Sequence, residues 1–297
     1  MKLQGKVAIV TGGGRGIGEA VALSFAREGA HLAIASRTQT ELDQVAAQVR
    51  ELGGQVQAIP TDVSAQDDVA RLIEAALTAY GQIDILINAA GVYGPIGPMW
   101  DVDIDEWIQA MQINLLGTFM CCHAVLPHMI ERRQGKIVNF SGGGATAPLP
   151  RFTAYGVSKT AIVRLTETLA EEVKEFNIQV NAVAPGAVDT RLQDQVLEAG
   201  ERAGDLLARI RRLRETGEGG VPRELPAELV VFLASDGSDG LTGKLIAAPY
   251  DPWREWAGKA DELNATPLYT LRRLDPFTIK PLIGKLETCP EPCRRNG

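Results

Sequence analysis

Tyr155 and Lys159 are the residues whose types and spacing could do chemistry together. They stand as Tyr-x-x-x-Lys in the helical pattern FTAYGVSKTAIVRLTETLA, so one helical turn should separate them. Tyrosine is a poor acid or base at neutral pH because its free pKa is about 10. A neighbouring ammonium group favours the phenolate and would lower that pKa. The pair could therefore carry a proton, although the spacing alone would also suit a solvated helix face.

A glycine-rich loop follows the first predicted strand. KVAIV leads into TGGGRGIG and then into the amphipathic segment EAVALSFAREG. In a dinucleotide-binding turn, Gly12 would permit the tight turn, Gly16 the approach of the pyrophosphate and Gly18 close packing of helix on strand. Free N–H groups at the helix start would face the anion. This order of elements predicts a nucleotide-binding unit at the N-terminus.

Over about residues 2–246 the chain resembles the short-chain dehydrogenase/reductase family. The matching motifs occur in the family's order: TGGGRGIG at 11–18, Asp62-Val63, NAAG at 88–91, Asn114 in INLLG, YGVSK at 155–159 and PGAVDT at 185–190. The resemblance implies an α/β fold, a single doubly wound Rossmann-type domain. It also implies hydride transfer between a nicotinamide cofactor and the carbonyl or alcohol carbon of a small-molecule substrate.

The resemblance also implies roles for individual residues. Tyr155 would exchange the proton of the substrate oxygen, Lys159 would hold the nicotinamide ribose, and Asn114 would anchor a water linking Lys159 to solvent. Asp62 would bond the adenine amino group, and Asn88 would face the adenosine ribose. The implied cofactor-binding set is Gly12, Arg15, Gly16, Ile17, Gly18, Ser36, Arg37, Asp62, Val63, Asn88, Ala89, Gly91, Tyr155, Lys159, Pro185, Gly186, Val188 and Thr190.

The end of the second predicted strand favours NADP(H). Folds that select NAD usually place an acidic residue there to accept from the ribose hydroxyls. This strand instead ends with Ser36 and Arg37. Arg37 could clamp a 2′-phosphate in bidentate fashion, and Arg15 adds a second cation on the same side. Alternatively, Arg37 only opens a solvated helix, which keeps NAD(H) as the second choice.

A serine that the family usually carries thirteen positions before the tyrosine is replaced by Gly142. Three substitutes are open: Ser141, the backbone N–H groups of 142–144, and the hydroxyl of Thr146 or Thr153. Adjacent strand side chains point to opposite faces, but the glycines that follow could re-aim Ser141, which we favour as a catalytic residue. A chain without the missing donor could also be a non-catalytic NADP-binding sensor or scaffold.

Composition limits the remaining function classes. The chain has 297 residues, 45% of them hydrophobic, and a formal net charge of −7. It can bury a large core, and its charge argues against nucleic acid or an anionic membrane as partner. We see no apolar run long enough to span a bilayer, no signal peptide before the first strand and no metal-ligand pattern. Cys289 and Cys293 are interpreted as incidental. These observations predict a cytoplasmic protein.

Short apolar strands alternate with helical patterns and predict a parallel sheet of about seven strands. Glycines should end the helices at 29, 53 and 81, and Thr38 with Glu41 has capping-box spacing. The predicted domain covers 1–249, with a substrate lid at about 189–222 that contains a helix at 193–213. The predicted strands are 6–10, 31–35, 56–59, 83–88, 135–140, 178–184 and 244–247.

Two further features concern partners. The extension 250–297 opens with Pro and Trp, and its start at 250–256 either walls the substrate pocket, packs on a neighbouring subunit or decorates the surface. The long helical patterns 105–133 and 154–176 carry apolar residues on more than one face. This suits a homotetramer or homodimer, although packing within a monomer would also explain it. A 3-ketoacyl compound and a sugar or polyol are substrate candidates.

Overall fold

The structure, a computed structural model, describes residues 1–273. Within them, one parallel sheet has the strand order β3-β2-β1-β4-β5-β6-β7, which confirms the predicted doubly wound fold. Every predicted strand is present, with ends that differ by at most two residues. The strands are β1 Val7–Thr11, β2 His31–Ser36, β3 Val56–Pro60, β4 Ile85–Asn88, β5 Gly135–Phe140, β6 Ile178–Ala184 and β7 Leu245–Ala247.

Helices cover both faces of this sheet. The first, second and ninth helices pack on one face of the sheet, where Phe25, Leu42 and Val230 are fully buried. The third and fifth helices cover the other face, where Leu72 and Val125 are fully buried. Strands covered on both faces are nearly all apolar for this reason. The helices are α1 Gly16–Arg27, α2 Gln39–Glu51, α3 Gln66–Tyr80, α4 Ile104–Met111, α5 Gly117–Arg132, α6 Thr153–Glu172, α7 Leu192–Ala199, α8 Asp205–Thr216, α9 Glu224–Ala234 and α10 Ala260–Asn264.

The ends of the first helices follow the sequence only in part. The glycines after α1, α2 and α3 have positive φ, as predicted, at Gly29, Gly53 and Gly81. The capping box at α2 is wrong, however. Thr38 stands at the N-cap without a side-chain capping bond. Glu41 points instead to Arg15 and Arg191, because two guanidinium groups offer it stronger partners than one backbone N–H.

A π-helical turn, Gln112–Leu116, joins α4 and α5 into one helical stretch, Ile104–Arg132. Its 29 residues include a window with a mean hydropathy of 1.4, which by length and composition could cross a membrane. By length and hydropathy alone, the expectation that the sequence has no apolar run long enough to span a bilayer is therefore wrong. In the fold, Val125 and Met129 of α5 are completely buried against the sheet, so a core position accounts for part of the apolar composition.

The predicted lid helix 193–213 is two helices, α7 and α8. Gly200 and Gly204 between them have φ of +55° and +60°. These positive φ angles, which glycine adopts readily, interrupt the helical backbone. The pattern of apolar residues therefore continues across a break between the two helices. The two short helices can consequently fold over the same end of the sheet.

The beginning of the extension packs on the domain that precedes it; the structure describes the extension only to residue 273, so Cys289 and Cys293 lie outside the described residues. Trp253 and Trp256 are 4% and 5% exposed and belong to the core beneath α9. The Trp253 indole N–H donates to the carbonyl of Ala248 at 3.0 Å. For these two tryptophans, the alternative of facing a neighbouring subunit is therefore wrong.

Candidate active site

A cleft of about 510 Å³ lies at the carboxyl ends of the strands, where β1 has β2 on one side and β4 on the other. This reversal of strand order is where open α/β sheets bind nucleotides, and the volume suits such a ligand. Many of the predicted cofactor residues line the cleft: Gly12, Arg15, Gly16, Ile17, Gly18, Ser36, Arg37, Asp62, Val63, Ala89, Gly91 and Thr190.

The glycine loop has no room for side chains. Gly12 has a φ of +67°, and a Cβ built on it would lie 2.8 Å from the backbone N of Ala90. A Cβ on Gly18 would overlap the carbonyl oxygen of Gly12, so α1 packs directly on the loop. The N-cap of α1, Arg15, makes no side-chain capping bond among the described residues. The first N–H groups of α1 can therefore bind an anion such as a pyrophosphate.

Ser36 marks the adenosine end of the cleft. Its hydroxyl oxygen is buried and has no hydrogen-bond partner among the described residues. A Cβ on Gly14 would lie 2.7 Å from that oxygen, so the loop and the end of β2 are in close contact. A buried hydroxyl without a partner is unusual, and a ribose or phosphate oxygen would satisfy it. The residues present thus fit a dinucleotide, with Arg37 exposed beside them.

An acidic side chain reaches this end of the cleft, although, as the sequence shows, none stands at the end of β2. It comes from Glu41, in the first turn of α2 rather than at the end of β2. Its Oε1 accepts from Nη1 of Arg15 at 3.2 Å and from Nη1 of Arg191 at 2.7 Å. In the sequence, Glu41 stands five residues after Ser36, where its spacing from Thr38 indicates a capping box and not a contact in the cleft.

Two predicted adenosine contacts differ in outcome. Asp62 lines the cleft, and its Oδ1 accepts from the N–H and the hydroxyl of Ser64 at 2.9 and 2.6 Å. The amide nitrogen of Asn88 points into the sheet. It donates to Oδ1 of Asn139 at 2.9 Å and to the sulfur of Cys122 at 3.4 Å. The Oδ1 of Asn88 is buried and has no hydrogen-bond partner among the described residues, so its contact with the ribose stays a prediction. The chain turns at the end of β4, and Ala89 lines the cleft in its place.

Tyr155 and Lys159 lie together on α6, with 8% and 4% of their surfaces exposed. The Lys159 Nζ is 5.6 Å from the centre of the Tyr155 ring and donates to the carbonyl of Phe140 at 2.9 Å. A Cβ built on Gly91, which lines the cleft, would be 3.4 Å from the same Nζ. The Lys159 ammonium thus lies directly behind Gly91 in the cleft wall, although neither Tyr155 nor Lys159 lines the cleft itself.

Burial dominates the proton affinities of this pair. It lowers the pKa of Lys159 to about 8, since an ammonium group is poorly solvated there. Burial, and secondly the nearby Tyr93, raise the pKa of Tyr155 above its ordinary value. The lowering predicted from the neighbouring ammonium is therefore wrong for this closed state. The Lys159 ammonium is held by a backbone carbonyl and does not hydrogen-bond the phenol.

The place of the missing serine is filled by the tyrosine itself. A Cβ built on Gly142 would overlap the Tyr155 hydroxyl oxygen. Ser141, predicted as a catalytic donor, is buried and donates to the carbonyl of Lys159 at 3.3 Å. That prediction is wrong here because Ser141 keeps the opposite orientation that strand alternation dictates. Thr153 accepts from the Trp107 indole N–H at 3.1 Å, which leaves its own hydroxyl hydrogen able to donate. The hydroxyls of Thr146 and Thr153 and the backbone N–H groups of 142–144 therefore all stay open as substitutes.

Asn114 fastens the loop after β4 to α6. Its Oδ1 accepts from the N–H of Val92 at 2.8 Å, while its Nδ2 donates to the Val92 carbonyl and to Ser158. It lies in the π-helical turn, and a Cβ on Gly91 would be 3.2 Å from its Oδ1. Asn114 therefore holds the cleft wall next to Lys159, and its water-anchoring role stays a prediction.

Sequence reasoning missed Tyr93, which lies against the proton carrier. Its ring meets that of Tyr155 edge-on, with centroids 4.7 Å apart. Its hydroxyl donates to Oε1 of Gln193 on α7 at 3.1 Å, and burial raises its pKa to about 12. The only sequence signal was an aromatic residue two positions after the NAAG motif. Tyr93 thus connects the predicted lid to the candidate catalytic residue.

The lid covers this end of the site with apolar side chains. Val196 of α7 and Leu207 and Ile210 of α8 are buried in one cluster with Phe152 and Tyr155. The lid therefore shields the phenol from water, which explains its burial. The residues after β6 lead into the lid, and those predicted as nicotinamide contacts lie there: Pro185, Gly186, Val188 and Thr190.

The profile for short chain dehydrogenases matches residues 6–200. The 3-oxoacyl-(acyl-carrier-protein) reductase of Thermotoga maritima is 35% identical over 246 residues, which cover 83% of this chain and 97% of that protein. The 2-(S)-hydroxypropyl-CoM dehydrogenase 3 of Xanthobacter autotrophicus is 34% identical and covers 83% and 96%. A crystal structure of NAD⁺-bound xylitol dehydrogenase superimposes with a TM-score of 0.78 at 31% identity, covering 83% of this chain and 98% of that one.

Proposed function

The chain belongs to the short-chain dehydrogenase/reductase family, an oxidoreductase family that acts on CH–OH and C=O groups, and on that basis we propose its specific reaction. It is an NADP(H)-dependent enzyme that interconverts a ketone or aldehyde with an alcohol, with Tyr155 as general acid and base. The observation that carries this proposal is the pairing of Tyr155 with Lys159 on α6, with Lys159 next to Gly91 in the wall of a dinucleotide-sized cleft.

The nicotinamide supplies or accepts the hydride when the cofactor is bound. The task of the protein is to move the proton of the substrate oxygen. The hydroxyl of Tyr155 is protonated at neutral pH, as in any tyrosine, and would donate its proton to a carbonyl oxygen during reduction. Lys159, charged below a pKa of about 8, would then stabilise the phenolate that remains. We propose reduction as the working direction because cells usually keep NADPH reduced.

The preference for NADP(H) is supported by Arg15 and by Arg37, which makes no ion pair within the part of the chain that the structure describes. The unpartnered Ser36 hydroxyl stands beside them. A second candidate, an NAD-linked dehydrogenase of a sugar or polyol, is favoured by one observation: Glu41 already neutralises part of this positive charge.

The walls around Tyr155 support a substrate with apolar groups next to its carbonyl. Tyr93, Phe152 and Leu207 are buried with Tyr155 in one apolar cluster, so a substrate that reaches the phenol has to pack against these side chains. Apolar groups would be buried there favourably, whereas the hydroxyls of a polyol would lack partners. The comparatively polar contacts come from Gln193, next to Tyr93. We therefore rank an apolar ketone above a polyol.

We further propose a cytoplasmic homodimer or homotetramer assembled through the long helices. Large apolar side chains on α4, α5, α6 and the π-helical turn are between 45% and 73% exposed, which is where a second copy could bury them. These side chains are Ile104, Ile108, Leu116, Phe119 and Val157. Sedimentation equilibrium should give a mass of at least twice 31.9 kDa; a monomer would remove this part of the proposal.

The experiment for the reaction has two parts. Binding of NADPH and NADH is measured by fluorescence, and a panel of apolar ketones, aldehydes and polyols is then assayed by NADPH absorbance. We expect a dissociation constant in the micromolar range and oxidation of NADPH with at least one apolar carbonyl compound. Failure to bind either dinucleotide would refute the proposal, and turnover with polyols and NAD⁺ alone would establish the second candidate.

A further inference from the structure

Glu41 makes an unusual pair of contacts above the adenosine end of the cleft. One oxygen of its carboxylate, Oε1, accepts from Arg15 at 3.2 Å and from Arg191 at 2.7 Å. The two arginines lie in different parts of the fold. Arg15 is in the glycine loop, and Arg191 is the residue immediately before α7. The carboxylate thus connects the nucleotide-binding loop with the beginning of the lid.

The carboxylate lies at the end of β2, the part of the cleft where we expect the 2′-phosphate of NADP(H). A Cβ built on Gly14 would lie 2.7 Å from the Ser36 hydroxyl and 3.2 Å from the Glu41 Cβ, so all three residues meet at the end of β2. Glu41, Arg15 and Arg191 all line the cleft. Glu41 itself is well packed, with 17% of its side chain exposed, so it is held at this position.

The charges in this group resemble those of a phosphate site that is already filled. Two guanidinium groups converge on one anion, which is how arginines bind phosphate oxygens. Their side chains are 54% and 67% exposed, so solvent screens both ion pairs and each of them is weak. A phosphate monoester with more charge and more acceptor oxygens could therefore take Arg15 and Arg191 from Glu41.

Building on the proposed function, we propose that Glu41 sets the selectivity between NADP(H) and NAD(H). Glu41 pairs with Arg15 and Arg191, so a 2′-phosphate can bind these arginines only by displacing the carboxylate. The negative charge of Glu41 then remains next to the phosphate and repels it. NAD(H) has no phosphate at that position and has no such competition. Glu41 therefore reduces the NADP(H) preference that the arginines alone would give.

The direct test is Glu41→Gln, which keeps the size of the side chain and removes its charge. Dissociation constants for NADPH and NADH are measured by fluorescence and by calorimetry on the full chain, so the readout is binding and not turnover. We expect NADPH to bind about tenfold more tightly, the equivalent of about 1.4 kcal/mol, and NADH to change by less than about threefold. The advantage should diminish as salt is raised.

Asp43→Asn is the matched control. Asp43 is on the same helix, is exposed and bonds Gln39 at 2.7 Å, so the variant makes the same change of charge away from the arginines. It should leave the ratio of the NADPH and NADH dissociation constants within about twofold. If Asp43→Asn shifts the ratio as far as Glu41→Gln does, net charge and not the Glu41 contact is responsible, and the inference is overturned.

Arg191→Gln gives an independent test, which also serves if Glu41→Gln does not fold. It removes one partner of the phosphate, so NADPH should bind about tenfold more weakly while NADH is unaffected. An unchanged ratio in this variant, or in Glu41→Gln, would overturn the inference, as would a Glu41→Gln protein that loses NADH affinity. Failure of the unsubstituted protein to bind any dinucleotide would instead refute the proposed function, so the two failures are distinct.

Discussion

The hydroxyl oxygen of Tyr155 fills the space in which a side chain at Gly142 would begin. A Cβ built on Gly142 would overlap this oxygen and lie 3.1 Å from the ring carbon that carries it. The glycine therefore makes room for the phenol, and the absent serine need not mean an inactive site. It also means that Tyr155 and position 142 have to be considered as one unit.

Replacing Gly142 by alanine should displace Tyr155. Since the ring is held between Tyr93 and the lid, we expect it to shift rather than to swing freely, and a shift of about 1 Å can lower turnover by about 10²-fold. Steady-state kinetics with the best carbonyl substrate is the measurement. Gly143→Ala is the control, because a Cβ there has no neighbour within 4 Å. Full activity of Gly142→Ala would show that the observed Tyr155 position is not the working one.

Removing the Tyr93 hydroxyl should weaken the closed lid. Tyr93→Phe keeps the ring against Tyr155 but loses the bond to Gln193, worth about 1 kcal/mol, so kcat/KM should fall about fivefold with NADPH affinity unchanged. Tyr80→Phe is the control, because Tyr80 bonds the carbonyl of Leu32 outside the site. Both variants should lose a similar amount of folding stability. An equal kcat/KM in the two variants would contradict the proposal that the Tyr93 hydroxyl stabilises the lid.

The stability of the protein should depend on Lys159 above pH 8. Burial lowers the pKa of Lys159 from 10.5 to about 8, so the unfolded chain binds more protons between these values and stability rises with pH there. The cost of the buried charge is fully present below pH 8 and disappears as pH passes 10.5; it amounts to roughly 3 kcal/mol.

The comparison that isolates this effect is the wild type against Lys159→Met. Denaturant unfolding at pH 7, 8, 9 and 10 should show the wild type gaining stability relative to the variant at each step above pH 8. A constant difference over the whole series would mean that Lys159 is not buried as a cation. Direct titration of the amine by NMR should place its pKa near 8.

Trp253 should stabilise the domain without taking part in the chemistry. Because its side chain is 4% exposed, Trp253→Ala should lower the free energy of unfolding by about 3–5 kcal/mol. Trp100→Ala is a suitable control, since Trp100 is 90% exposed and should cost little. Both are measured by urea denaturation, with NADPH affinity as the second readout. A stable Trp253→Ala protein that has lost substrate binding would restore the interpretation of this segment as a pocket wall.

Local patterns predicted the scaffold well for physical reasons. A buried strand must be apolar along its length, and a nucleotide turn such as that at Gly12 needs a residue that tolerates positive φ, so both are visible in a few neighbouring letters. The helical spacing of Tyr155 and Lys159 is equally local. These features survived intact in the structure because no distant residue had to be known.

Contacts that join distant segments could not be predicted from the sequence. Glu41 meets Arg191 across 150 positions and Tyr93 meets Gln193 across 100, and no spacing rule reports such pairs. The orientation of Asn88 depended on the neighbouring strand in the same way. The predicted shift in the pKa of Tyr155 had the wrong direction. Burial raises this pKa despite the nearby Lys159 ammonium, and burial depends on the whole fold.

The measurement that tests the central claim most directly compares Tyr155→Phe with the unsubstituted protein. Turnover of the best carbonyl substrate and the NADPH dissociation constant are both determined. The account predicts that turnover falls by about 10²–10⁴-fold while NADPH affinity stays within about threefold, since the phenol carries the proton and the cleft is unchanged. Turnover that survives the loss of this hydroxyl would contradict the assignment of Tyr155 as the proton carrier.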